Sequence, residues 1–377
     1  MTRIAIQFPI AAILILGMGA SSVAQDPAAV PPRKLKSYSE AYNKAVDYTI
    51  KNLQKASFPA KMVIGWLLLA DGRFPQELGS VIQLAVGWDK QSYGDHSKNW
   101  FPALAGILLS EYYKHFPTEE VKAALQGIVD HFVKVQEANG GWFKWFEGAV
   151  KDMPGYPVRT LGILDGTILG FLYGAKKQGC KVPENTLKKG EECLKGILGA
   201  RGISYGTGQR GGDTTGARGG LSMLGLDTAG SRSHAIWTTY EKHIPTCIPN
   251  MDKGHHIGAF HCLGLTLACW KLGHHAALLA EWGPKLSKKQ DADGGVFVGD
   301  DGADGGEAGL LRGNHGSTAA FALMLLLQDS TVLKPKGGGS KKPDGGSAGG
   351  SGSGSGNPFS KKKPTEEVPT QDPKDKP

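Results

Sequence analysis

The residues of this 377-residue chain that are best equipped for chemistry fall into two groups. The first is a set of basic and aromatic side chains ahead of, or at the start of, apolar segments: Arg159, Arg218, His255, His256, Arg312 and His315. Asp165 lies just inside one such segment, and Trp142 and Trp145 stand in a loop that leads to it. Imidazole titrates near neutral pH, so His255 and His315 are the expected general base and acid of any reaction there. The arginines and His256 suit carboxylates and other anions, and the tryptophans suit the flat faces of sugars. The second group is the loop Gly299-Asp300-Asp301-Gly-Ala-Asp304-Gly-Gly-Glu307. Carboxylates on a pliable glycine-rich loop suit a hard cation, which makes Asp300, Asp301, Asp304 and Glu307 candidate calcium ligands, although their spacing is not that of an EF-hand. Two plainer readings stay open: a solvated acidic turn, and basic residues that only satisfy loop carbonyls. His261, Cys262, His274 and His275 add metal-binding atoms without a diagnostic spacing.

These residues hang on a regular alternation of segments. Residues 37–54 form an amphipathic helix, with Ser37 and Glu40 at capping-box spacing and Tyr38, Ala41, Tyr42, Ala45, Thr49, Ile50 and Leu53 on one stripe. Residues 62–70 are apolar all round, as a helix buried on every side must be. The pattern repeats: 76–88, 118–135, 185–198, 232–243 and 276–290 are amphipathic or mixed. Residues 100–113, 161–175, 214–226, 257–270 and 317–327 are apolar and rich in small residues. About twelve helices joined by glycine-rich loops, without a convincing β pattern, predict an all-α fold. An open solenoid would satisfy the count, but buried helices alternating with surface helices favour an α/α toroid of about six hairpins. In such a ring the inner helices run the same way, so their N-termini gather at one mouth with positive dipole ends and unpaired N–H groups. The basic and aromatic residues above would line that mouth as a ligand pocket.

One phrase occurs twice. Gln136-Glu-Ala-Asn-Gly-Gly-Trp142-Phe143 returns as Gln290-Asp-Ala-Asp-Gly-Gly-Val296-Phe297, each time between an amphipathic segment and a loop leading to an apolar one. Repetition in the same context indicates stacked supersecondary units. Gln136, Gly140 and Trp142 match the Gln-x-x-x-Gly-x-Trp phrase of triterpene cyclases, although Val296 breaks the second copy. Thr214-Thr-Gly-Ala-Arg-Gly-Gly-Leu-Ser-Met-Leu-Gly-Leu and Gly316-Ser-Thr-Ala-Ala-Phe-Ala-Leu-Met-Leu-Leu are similar to that superfamily's inner helices. Over about residues 37–330 the chain resembles the terpenoid cyclase and protein prenyltransferase superfamily. The phrase has a structural logic: the glutamine reaches the last carbonyls of its helix, the glycine takes a left-handed turn, and the tryptophan packs between hairpins. It therefore implies a fold rather than a chemistry. The cyclase motif Asp-x-Asp-Asp is missing, with Asp291-Ala-Asp293-Gly the nearest approach. Asp300, Asp301 and Asp304 spell the Asp-Asp-x-x-Asp of other terpene synthases, but among glycines rather than on a helix.

The ends of the chain set the remaining bounds. Arg3, the apolar run 4–16 and Ser22-Val23-Ala24 read as a signal peptide over 1–24, followed by a linker over 25–36. The run is too short to cross a bilayer comfortably, so no transmembrane segment is expected after signal removal, and the mature protein is expected to be secreted or periplasmic. Residues 331–377 are a Gly/Ser-rich and then Lys/Pro-rich tail, too poor in apolar residues to fold, whose basic end could touch anionic envelope polymers. From 334 on it carries nine lysines and five acids, so without it and Arg3 the formal charge of +8 falls to about +3. That balance and the lack of any binding motif argue against nucleic acid. The five cysteines read mostly as buried thiols. Cys262 and Cys269 are about 10 Å apart along one helix and cannot pair, whereas Cys180 and Cys193 could.

The expected protein is thus an exported cyclase-like toroid without cyclase chemistry, acting as a binding or scaffold protein for a small molecule or glycan. A lyase or hydrolase of acidic polysaccharides is the alternative, and an isoprenoid cyclase a second one.

Overall fold

The structure, a computed structural model, describes residues 31–91, 99–143, 161–206, 212–253, 258–298 and 314–329. The chain divides into units 1–336 and 337–377, and every described residue lies in the first. The signal peptide, most of the linker and the tail fall outside the described residues.

Among the described residues there are twelve α-helices, and the fold is all-α as the periodicity predicts. Six are amphipathic: α1 (Ser39–Asn52), α3 (Pro75–Val86), α5 (Glu119–Lys134), α7 (Glu184–Lys195), α9 (Ala235–Cys247) and α11 (His275–Lys288). α5 shows why they form. Thr118 caps it by accepting from the Val121 N–H at 3.3 Å, and Glu119 and Glu120 occupy its first turn while Lys134 closes its last. Val121, Leu125, Ile128 and Phe132 then make its buried stripe. The other six are α2 (Phe58–Asp71), α4 (Trp100–His115), α6 (Gly162–Lys177), α8 (Ala217–Ala229), α10 (Gly258–Leu272) and α12 (His315–Leu326). These are buried nearly throughout.

The buried helices pack in chain order, α2 on α4, α4 on α6, α6 on α8, α8 on α10 and α10 on α12, and α12 returns to α2. Their contacts therefore form a closed cycle. Each amphipathic helix from α3 to α11 covers the buried helix before it in the chain, and α1 covers α12. The most extensive packing is between α6 and α8, where Gly166, Gly170 and Gly174, spaced every fourth residue of α6, lie against α8. A methyl group on Gly170 would sit 2.3 Å from the Ser222 carbonyl oxygen, and one on Gly225 only 1.9 Å from that of Gly170. α4 and α10, three places apart in the cycle, also meet: Trp100 stacks on Phe260 with ring centroids 5.2 Å apart. Side chains thus meet across the interior near the starts of α4 and α10.

Four local expectations change. The Ser37/Glu40 capping box does not form, because Ser37 donates its N–H and hydroxyl to Gln328 Oε1, and Gln328 Nε2 donates back to the Ser37 carbonyl. Closing the cycle across 291 residues takes precedence over capping α1, whose N-cap is Tyr38 at φ 59°. Helix ends shift by a few residues from those read in the sequence. A small antiparallel pairing, Leu198–Gly199 with Gly202–Ile203, interrupts the helical pattern after α7. Finally, Cys180 and Cys193 are not bridged; all five cysteines are free buried thiols.

Candidate functional site

The residues expected at the mouth are distributed as follows. Trp145, Arg159, His255, His256, Arg312 and the acid loop with Asp300, Asp301, Asp304 and Glu307 lie outside the described residues. Trp142 is not a stacking platform. It is fully buried against α7, and its indole donates to the Phe132 carbonyl at 2.9 Å. Its backbone N–H donates to Asp165 Oδ1 at 2.6 Å, so Asp165 is engaged in holding the loop onto the first turn of α6. Arg218 likewise spans backbone, donating to the carbonyls of Ile203 and Gly212. His315 is half-buried beside Tyr48, and among the described residues its Nδ1 has no hydrogen-bond partner. Burial, helped by Lys55, pushes its pKa down, which keeps the ring neutral at neutral pH.

The repeated phrase has one geometry in both copies. Gln136 Nε2 donates to the Gly140 carbonyl at 2.8 Å and to that of Thr186, on α7, at 2.9 Å. Gln290 Nε2 donates to the Gly294 carbonyl and to that of Ala41, on α1, both at 3.0 Å. The glutamine therefore ties its loop to the next amphipathic helix, and not to the end of its own as the sequence suggested. Both glycines have positive φ, 87° and 98°, with no room for a side chain because a carbonyl of that next helix lies against them. The seventh residue of the phrase makes a like contact in both copies: Val296 N–H donates to Thr318 at the fourth position of α12, as Trp142 N–H donates to Asp165 at the fourth of α6.

An open cavity of about 470 Å³ lies at the opposite end of these helices. Its walls are Glu111, Tyr113 and Lys114 near the end of α4, Lys177 and Gln178 at the end of α6, Asp227 and Thr228 in the last turn of α8, and Lys271 in that of α10. Behind Glu111 and Thr228, the residues Ile107, Ser110, Phe171, Leu224 and Gly225 close up around a gap with no room for a water molecule. Helix C-termini are negative dipole ends, where acids are unfavourable and lysines stabilising. The two acids here are both offset by lysine. Lys114 Nζ is 2.6 Å from Glu111 Oε2, and Lys271 Nζ is 2.8 Å from Asp227 Oδ2.

The electrostatics follow from that pairing. Burial alone would raise the Glu111 carboxyl. His115, Lys114 and Lys271 together outweigh it and bring the pKa to about 2. Asp227 is partly buried, and Lys271, Arg232 and Lys114 still hold it below its usual value. Each acid thus feels the other's lysine, and the four charges act as one network. Gln178 closes the wall by accepting from the Ser110 hydroxyl at 2.9 Å and donating to the Ser110 carbonyl at 2.7 Å.

A family described as a domain of unknown function, DUF6288, matches residues 40–281, from α1 into α11. The chain belongs to that family. No curated protein and no solved structure matches the chain. The matched span contains every wall residue of the cavity. No group of three or more His, Cys, Asp or Glu placed to hold a metal occurs among the described residues. Nor is any described helix long and apolar enough to cross a membrane.

The sequence pointed to the starts of the buried helices, where anions ordinarily bind, and this cavity lies at their ends. A signal was there to be read. Glu111 and Lys114 are charged residues at i, i+3 inside an otherwise apolar helix, and Asp227 follows the apolar run of α8. Buried acids at negative dipole ends require cations nearby.

Proposed function

We propose that this DUF6288 protein is an exported ligand-binding protein on an α/α toroid like that of the terpenoid cyclases, without their chemistry. Its ligand site is the cavity at the ends of α4, α6, α8 and α10. The observation that carries this reading is the cavity itself, an open chamber walled by four helices, three of which supply a network of paired charges. Binding rather than acid–base catalysis is supported by the state of its carboxylates. Glu111 and Asp227 are held ionised by lysines, so neither carries a proton to give at neutral pH. An isoprenoid chamber inside the ring is disfavoured by the Trp100–Phe260 stack that occupies it near the helix starts.

The test is a thermal-shift screen of the full chain against uronic-acid oligosaccharides, neutral glycans, isoprenoid lipids and divalent ions. A ligand at a hundred times its dissociation constant stabilises by about 2.7 kcal/mol, a readily measured rise in the melting midpoint. The expected result is a small polar ligand whose shift disappears in Thr228→Trp, which fills the cavity. A shift that survives that substitution would place the site elsewhere.

A further inference from the structure

The charges of the cavity do not all cancel. Glu111 is neutralised by Lys114 and Asp227 by Lys271. Lys177 remains: it is exposed on the cavity wall at the end of α6, and among the described residues its ammonium has no ion-pair or hydrogen-bond partner. Its neighbour in sequence, Lys176, points instead to Glu184. Tyr113, on the α4 wall, has the Lys122 ammonium 5.6 Å from its ring centroid. The Tyr113 hydroxyl makes no hydrogen bond to a described residue.

We propose that the cavity recognises a small carboxylate-bearing ligand, such as an acidic sugar, with the carboxylate between the Lys177 ammonium and the Tyr113 hydroxyl. This rests on the cavity being the binding site. An ammonium and a hydroxyl supply donors to the two oxygens of a carboxylate, and an anion there adds the one charge the wall lacks. The two preformed ion pairs keep Lys114 and Lys271 from collapsing onto that anion, so the free lysine fixes where it sits. A neutral ligand would gain no ion pair from Lys177, and a cationic one would be repelled by it.

Isothermal titration of the full chain with a galacturonic acid trisaccharide and with its neutral galactose counterpart tests this. The acidic trisaccharide is expected to bind and the neutral one to bind at least about tenfold more weakly, the range of a single charge-assisted contact. Lys177→Gln should erase most of that difference, Lys177→Arg should restore part of it, and Lys176→Gln should leave it intact. Equal binding of both sugars, abolished by Thr228→Trp, overturns the carboxylate while keeping the cavity. Acid-selective binding that ignores Thr228→Trp and Lys177→Gln overturns the cavity. Acidic-trisaccharide binding weaker than about 1 mM overturns the proposed ligand class. Lys177 is on the surface, so its variants fold whether or not the cavity-filling one does.

Discussion

Alanine in place of glycine should act with opposite sign in the two kinds of helix. Gly127 in α5 has no atom within 4 Å of where a Cβ would stand. There alanine removes the conformational penalty of a mid-helix glycine and should stabilise by about 1 kcal/mol. Gly225 in α8 receives the same gain, but its Cβ would lie 1.9 Å from the Gly170 carbonyl oxygen and 2.2 Å from its carbon. Both partners are backbone, so no rotamer change relieves the contact, and α6 and α8 must separate by about 1 Å. Overpacking of this kind costs about 1–3 kcal/mol, and the upper end applies where the whole glycine row of α6 is pried away. The net expectation is a loss of about 2 kcal/mol for Gly225→Ala against a gain of about 1 kcal/mol for Gly127→Ala. With a urea dependence near 3 kcal/mol per molar, the two unfolding midpoints should differ by about 1 M. A midpoint for Gly225→Ala that rises together with that of Gly127→Ala would falsify the direct backbone packing of α6 on α8.

Acid should destabilise the protein in two overlapping windows. His131 is half-buried near Lys134, and the loss of solvent together with that charge lowers its pKa to about 4 from 6.5, so the unfolded chain binds the extra proton first. Its contribution, at most about 3 kcal/mol, is complete above 6.5 and lost as pH drops toward 4. Glu111, at about 2 against a usual 4.5, contributes similarly above 4.5 and loses it as pH falls toward 2. Urea midpoints measured across this range should fall throughout, and Glu111→Gln should flatten only the lower part. Tyr240→Phe removes the hydroxyl that accepts from Ile203 N–H at 3.0 Å and donates to Asp213 Oδ2 at 2.8 Å. Both groups are buried, so a loss of about 1–3 kcal/mol in chemical denaturation is expected, and an unchanged midpoint would contradict the network. Burial pushes the thiols of Cys247, Cys262 and Cys269 up to about 12, and all five thiols are buried. A disulfide-exchange reagent should therefore find no reactive cysteine in the folded protein and five after unfolding; fast labelling of the native state would argue otherwise.

The alternation of helices was legible because hydrophobic periodicity is local: Val121, Leu125, Ile128 and Phe132 declare one face, and α2 declares that it has no polar face at all. Two turns were legible for the same reason, since Gln136 and Gly140 lie only four residues apart, as do Gln290 and Gly294. Even there the sequence could not say where the glutamine's second bond goes, because Thr186 and Ala41 are brought up by the next hairpin.

What the chain alone determines, then, is its all-α character, the order of buried and amphipathic helices, and the repeated loop. The tertiary structure decided which residues meet. Ser37 gave up its cap to reach Gln328, Trp142 went into the core rather than into a site, and the Cys180 and Cys193 thiols stayed apart. It also assembled Glu111, Lys177, Asp227 and Lys271 from four helices around one cavity. These residues share neither periodicity nor sequence spacing. Their charges come to one wall only when parallel helices bring several C-termini together, a matter of packing that no local pattern encodes.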